Sequence, residues 1–348
     1  MAPNASTAIT QGTFKTSDFK LQSGVSLPEL VLAYETYGTL APDRRNAILV
    51  THGITSSHHA AAVESQPGWW DRVIGPSKTI DTDRYFVVSS NTLGSSYGST
   101  APASINPRTG KRYGPEFPRL TIADMVAAQR LLLDALGIRH LMAVAGLSYG
   151  GFQAFQWGVS FPDFMDGLVV TVSAPRDLGG QSPVDQLRAL FAADPAWNGG
   201  WHYDGDGMLE TMKQLRLRTL TQYGVDTQLA AAIPDPYARA ARLERMATDW
   251  ARTFDPNSLL ALRQAWVGFD TEKDFAKIRA KLLYVLSATD AVFPPSLAPG
   301  VMTKLETAGV DATYFELESP YGHLALNPEA DKWTPALDAF LRRLPDGG

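Results

Sequence analysis

The 348-residue chain is expected to fold as an α/β protein: a mostly parallel, doubly wound sheet with an inserted helical cap. Three features predict this. Short runs that are apolar throughout, such as Ala47-Ile48-Leu49-Val50 and Leu168-Val169-Val170-Thr171-Val172, alternate with helix-like segments. Strands buried on both faces lose the in/out alternation, and that is the condition inside a parallel sheet. A Ser-centred tight turn, Gly146-Leu147-Ser148-Tyr149-Gly150, stands between an apolar run and a helix. Finally, the stretch from Asp177 to Phe269 is almost entirely helix-like, punctuated at Pro195, Gly199-Gly200, Gly224, Pro234 and Pro236.

Taken in order, residues 1–12 are small and polar and read as a loose tail without the charged and apolar blocks of a signal peptide. Strands are expected at Val31–Tyr34, Ala47–Val50 and Tyr85–Val88. Thr121 to Leu136 is a helix. Thr121 and Asp124 have capping-box spacing, Ile122, Met125, Val126, Leu133 and Leu136 share a face, and Gly137 ends it. Leu141–Ala145 leads into the Ser turn, and Phe152 to Phe161 follows as a helix stopped by Pro162. After the helical stretch, strand character returns at Leu282–Leu286 and Thr313–Leu317. The core is therefore expected over residues 13–176 and 277–348, with the cap over 177–276 above the C-terminal ends of the strands, where open α/β sheets bind ligands.

Composition narrows the function. A net charge of -5 with no long basic run argues against nucleic acid and anionic membrane as partners. No apolar stretch approaches a membrane span. The chain has no cysteine, which removes disulfides, thiolate metal sites and Cys nucleophiles and fits a cytoplasmic setting. No cofactor and no metal site is expected; the adjacent His58 and His59 do not share a face as metal ligands would.

A strand–Ser–helix turn presents a nucleophile, with helix N–H groups beside it for an oxyanion. A Ser nucleophile requires a base, and the base a carboxylate. The expected order is Ser, acid, His. His323, in the loop after the last strand, is the candidate base, and His202, between Trp201 and Tyr203, is assigned to cap packing. Asp290, just past the strand Leu282–Leu286, is the candidate acid, with Asp311 in reserve although it precedes a strand. Backbone N–H groups of Tyr149 and Ile54 are expected to form the oxyanion hole, with His52 buttressing the loop.

Longer blocks then carry a resemblance. They are Asp81-Thr82-Asp83-Arg84-Tyr85, Ser89-Ser90-Asn91-Thr92-Leu93-Gly94, Gly98-Ser99-Thr100, Ser104-Ile105-Asn106-Pro107, Phe161-Pro162-Asp163 and Phe254-Asp255-Pro256-Asn257-Ser258. The chain resembles the homoserine O-acetyltransferase family of α/β-hydrolase-fold enzymes over nearly its whole length past Leu21. The resemblance implies Ser148 as nucleophile, Asp290 as acid and His323 as base. It also implies a homodimer through the cap helices, an acetyl preference, and a cap-helix Arg, aligned with Arg216, that binds the acceptor carboxylate.

Four positions depart from the family pattern. Leu147 and Tyr149 replace Gly and Met or Phe at the elbow, Leu324 replaces an Asp after the base, and a usual Tyr-Arg pair reads Tyr223-Gly224. An ammonium buried without its carboxylate loses about 3–5 kcal/mol. On that ground the sequence is read as a serine carboxylesterase acting on acetyl esters of simple alcohols, a small-molecule ester hydrolase, with Leu147, Arg216 and Leu324 at the substrate. An acyl-CoA-dependent homoserine or serine O-acetyltransferase is the alternative, and a binding protein on an inactive hydrolase fold the third.

Overall fold

The computed structural model describes residues 9–64, 66–205 and 207–345. Eight strands form one sheet: β1 (Ile9–Lys20), β2 (Ser26–Tyr37), β3 (Ala47–Thr51), β4 (Phe86–Ser90), β5 (Leu141–Leu147), β6 (Met165–Thr171), β7 (Lys281–Ser287) and β8 (Ala312–Leu317). Their order is β1-β2-β4-β3-β5-β6-β7-β8. The β1–β2 and β2–β4 pairs are antiparallel, and every other pair is parallel.

The continuous apolar runs are explained by burial on both faces. Every residue of β3 is buried, and alternate residues serve opposite layers. Leu49 and Val144 pack in one core cluster with helix residues such as Met125 and Phe155. Ile48, Val50 and Ala143 pack in the other, against Trp70 and Trp333. The helices around the sheet are α1 (Ile122–Ala135), α2 (Tyr149–Ser160), α8 (Ala298–Thr307) and α9 (Ala330–Leu341); α1 carries the capping box read from Thr121 and Asp124.

Between β6 and β7 lie α3 (Ser182–Ala192), α4 (Leu209–Gln222), α5 (Val225–Ala230), α6 (Pro236–Ala251) and α7 (Pro256–Ala265). The two ends of this helical insertion are held together: Asp177 N–H donates to Phe269 O at 2.7 Å, and Thr271 N–H to Pro175 O at 3.0 Å.

The N-terminal reading needs correction. Residues 1–8 lie outside the described residues, but from Ile9 the expected tail is strand, paired from Ile9 with Tyr37 to Lys20 with Ser26. Its outer position explains why the sequence conceals it. β1 is mostly half-buried or exposed, so polar residues such as Thr10, Gln11 and Thr13 are tolerated, and pairing with β2 rather than burial specifies it. Among the described residues, no helix is long and apolar enough to cross a membrane.

Candidate active site

Ser148 sits alone between the end of β5 and the start of α2, with φ +55° and ψ −113°. This is a sparsely populated conformation for a residue with a side chain, held by its surroundings. Crowding enforces the small residues on either side. A Cβ on Gly146 would lie 2.1 Å from Gly150 O, and one on Gly150 would lie 2.0 Å from Thr51 O. The turn can pass between β3 and α2 only with glycine at both places.

Two loops meet the serine. Asp290 follows β7, and its Oδ1 accepts the N–H groups of Val292 at 2.7 Å and Phe293 at 3.2 Å. His323 occupies a single helical turn, Gly322–Leu324, after β8. Thr289 ties the loops by donating its hydroxyl to Ser319 O at 2.8 Å and accepting Gly322 N–H at 3.1 Å. His323 Nδ1 lies 2.8 Å from Asp290 Oδ2, and Nε2 lies 2.9 Å from Ser148 Oγ. A carboxylate only accepts, so the imidazole proton belongs on Nδ1 and the Nε2 lone pair faces the serine hydroxyl. Asp290 and His323 are each 2% exposed and Ser148 is 8% exposed, so the arrangement is shielded yet still open at the serine.

The loop after β3 runs beside the serine, close enough that a Cβ on Gly53 would lie 3.8 Å from Ser148 Cβ. His52 fixes its orientation. Its Nε2 accepts Thr92 N–H at 3.0 Å, which leaves the proton on Nδ1 to donate to Gly53 O at 2.8 Å. Burial pushes the His52 pKa down to about 4, so the ring is neutral near pH 7. Because the peptide unit is planar and trans, holding Gly53 C=O toward His52 turns Ile54 N–H the opposite way. Tyr149 N–H, at the first position of α2, lacks an acceptor in its own helix.

A cavity of about 370 Å³ opens in front of Ser148, lined by Ile54, Leu147, Tyr223, Leu324, Arg216 and Arg242 among others. The Arg216 guanidinium is the notable charge. It donates from Nη1 to Thr55 Oγ1 at 2.9 Å and lies 5.1 Å from the Trp250 ring centre, while its buried Nε has no partner. Burial lowers its pKa from the usual arginine value. Among the described residues, no Asp or Glu lines this cavity. The cavity thus holds a cationic side chain and the Ser148 hydroxyl together.

The structure thus brings Ser148, Asp290 and His323 together and places Ile54, Tyr149, Leu147, Arg216 and Leu324 around them. Two alternatives fall away. His202 bonds Asp255 at 3.0 Å and stacks with Trp197 and Tyr203. Asp311 is an exposed partner of Lys281 and Arg343. Sequence reasoning passes over Arg242, which lines the cavity, and Trp250, which lies against Arg216 and donates to Thr55 O at 3.2 Å. Only tertiary packing places them there, and Arg242, in particular, reads as one more charge on a helix face.

A family profile described as alpha/beta hydrolase fold matches residues 46–329. Curated proteins 35–38% identical to this chain over more than nine-tenths of its length are named homoserine O-acetyltransferase. That of Geobacter sulfurreducens is 37% identical, with 96% of this chain and 97% of the relative covered. Among solved structures, homoserine O-acetyltransferase from Bacillus anthracis superposes with a TM-score of 0.87 at 26% identity, covering 97% of this chain and 98% of that one. Esterase E22 superposes with 0.86 at 28% identity, covering 96% and 100%.

These findings correct the hydrolase reading. The relatives at 35–38% identity are named as transferases, and the similarity to an esterase is lower. The departures at Leu147, Tyr149, Leu324 and Gly224 remove one carboxylate and reshape the elbow, but they leave the cationic side of the cavity at Arg216 in place, so they do not by themselves make water the acceptor.

Proposed function

Because the chain belongs to the homoserine O-acetyltransferase family of α/β-hydrolase-fold enzymes, we propose that it transfers an acetyl group from acetyl-CoA to the hydroxyl of homoserine. Ser148 Oγ attacks the thioester carbonyl while His323 Nε2 takes its proton, and Asp290 stabilises the imidazolium. Ile54 and Tyr149 N–H groups receive the oxyanion. The carbon–sulfur bond breaks and the departing thiolate takes the proton from His323. Homoserine then enters, gives its hydroxyl proton to His323 and attacks the acyl-enzyme. The bond to Ser148 Oγ breaks, and His323 returns the proton to Ser148.

The observation that supports an amino-acid acceptor most directly is the Arg216 guanidinium, which faces the cavity with no carboxylate of the chain's own to pair with. The acceptor's carboxylate supplies the missing charge. A cytoplasmic setting suits both the coenzyme and a chain without cysteine.

The test is purified protein with acetyl-CoA, with and without homoserine or serine, read by thiol release and by mass spectrometry of the product. O-acetylhomoserine is the expected product, and Ser148→Ala is expected to reduce kcat at least about 10⁴-fold. Thiol release at the same rate with and without an acceptor, and no acylated amino acid, would overturn the reading.

A further inference from the structure

One face of β2 carries a polar cluster that the proposed chemistry does not use. Glu35 and Tyr37 stand two residues apart on the strand, so their side chains share a face. Glu35 is 2% exposed and lies in mid-sheet, opposite Gln11 of β1 on one side and Ser89 of β4 on the other. Three donors converge on its carboxylate. Gln11 Nε2 lies 3.0 Å from Oε1, the Tyr37 hydroxyl donates to Oε2, and His59 Nδ1 lies 3.1 Å from Oε2 and 3.3 Å from Oε1. A carboxylate only accepts, so the His59 proton belongs on Nδ1. Burial, and then the carboxylate itself, push the Tyr37 phenol well above its usual pKa and keep it a donor.

The cluster grips the loop after β3. The Tyr37 oxygen accepts Ala60 N–H at 3.0 Å and Ala61 N–H at 3.3 Å, and Trp69 Nε1 donates to Ser57 O at 3.0 Å. Residues 57–61 are thereby fixed to the sheet and its neighbouring segment. Just before them, Ser56 N–H donates to Gly53 O at 3.0 Å and closes a tight turn with Ile54 and Thr55 at its central positions. The turn that carries Ile54 N–H therefore hangs between anchors at both ends. His52 holds the N-terminal side, and Glu35, Tyr37 and His59 hold the C-terminal side. A carboxylate inside a sheet is costly unless it is fully hydrogen-bonded, and an apolar side chain would fill the same space. What an apolar side chain could not supply is a directional hold on an imidazole of the loop.

We propose that Glu35 and His59 are positioning residues for the oxyanion loop: their hydrogen bond fixes the direction of Ile54 N–H from the side opposite His52, and neither residue touches substrate. The proposal rests on the acyl-transfer reading of Ser148. The bonds made and broken in that reaction are unchanged. Breaking the pair alters only the aim of one oxyanion donor.

The test measures the acylation burst with an aryl acetate in wild type, His59→Leu, His59→Asn, Glu35→Gln and the double variant His59→Leu with Glu35→Gln. Burst amplitude counts competent enzyme and burst rate reports the site, so unfolded protein is not mistaken for a slow one. His59→Leu should slow the burst at least about tenfold at saturating ester, below the roughly 10²- to 10³-fold expected when a donor is removed outright, with little change in the half-saturating concentration. His59→Asn keeps a donor where Nδ1 stood and should recover most of the rate. Glu35→Gln should slow the burst by a smaller factor, and the double variant should be no slower than His59→Leu, because both substitutions break the same hydrogen bond. A burst rate unchanged in His59→Leu, equal losses in the Leu and Asn variants, or losses that multiply in the double variant would each overturn the proposal. The aryl ester carries neither coenzyme nor acceptor. A wild type that gives the burst but forms no acyl-homoserine would sink the acetyltransferase reading and leave the test of Glu35 and His59 standing, whereas a wild type without a burst would sink both.

Discussion

On the proposed mechanism, His52 acts on the chemistry without touching the reacting bonds. Its neutral ring holds Gly53 O, and through the rigid peptide it sets the direction of Ile54 N–H. Replacing it with Phe should lower kcat about 10²- to 10³-fold with little change in KM, the usual signature of a lost oxyanion donor. The same residue sets an acid limit. Its folded pKa of about 4 lies below the usual 6.5, so the unfolded chain binds the proton more readily. Stability is then complete above about pH 6.5 and declines toward pH 4 by on the order of 3 kcal/mol. Denaturant midpoints measured across that window should fall in wild type and flatten in His52→Phe. Leu324 bears on the acceptor instead. Leu324→Asp puts a carboxylate in a cavity that has none among its described lining residues and should lower KM for homoserine at least tenfold, with a smaller change for acetyl-CoA. An unchanged KM would mean that the ammonium does not approach this position.

Among the elements, the elbow is the most tightly constrained. Gly150→Ala would drive a Cβ to 2.0 Å from the Thr51 carbonyl, so β3 and α2 must separate. A loss of about 1–3 kcal/mol in urea unfolding is expected, together with a fall in kcat as Ser148 shifts. These elements were also the most readable. β3, β5 and β7 announce themselves as unbroken apolar runs because a doubly covered strand has no polar face. The order Ser148, Asp290, His323 follows from where each sits relative to a strand's C-terminal end. β1 stayed hidden because pairing, not burial, specifies it. Arg242 and Arg263 illustrate the other gap. Along a cap helix they are indistinguishable from solvated charges, and only the packing of α6 and α7 places them at cavities. The same holds for how much of the acceptor side survives the departures at Leu147, Leu324 and Gly224: that depends on packing, which the sequence does not display.

On the scale of the molecule, the insertion offers a surface for association. α6 buries only Ala247 and Trp250 among its sixteen residues, packs on α4, and carries Tyr237 at 85% exposure. A homodimer through these helices is our proposal. Light scattering at micromolar concentration should give twice the chain mass, and Tyr237→Arg should shift it toward the monomer. A single-chain mass for the wild type would rule this out.

The hydrogen bonds joining Asp177 to Phe269 and Thr271 to Pro175 have a consequence for how such a molecule can change. Everything that recognises substrate through the helical insertion is threaded between two chain segments a single hydrogen bond apart. Away from α7, whose Leu262 O holds the Tyr149 hydroxyl, the insertion can therefore lengthen or shorten like a cassette without moving the β5–α2 turn that carries Ser148. Selectivity can drift quickly under selection while the reactive centre stays put, and a graft of a foreign insertion at this root is the natural engineering experiment.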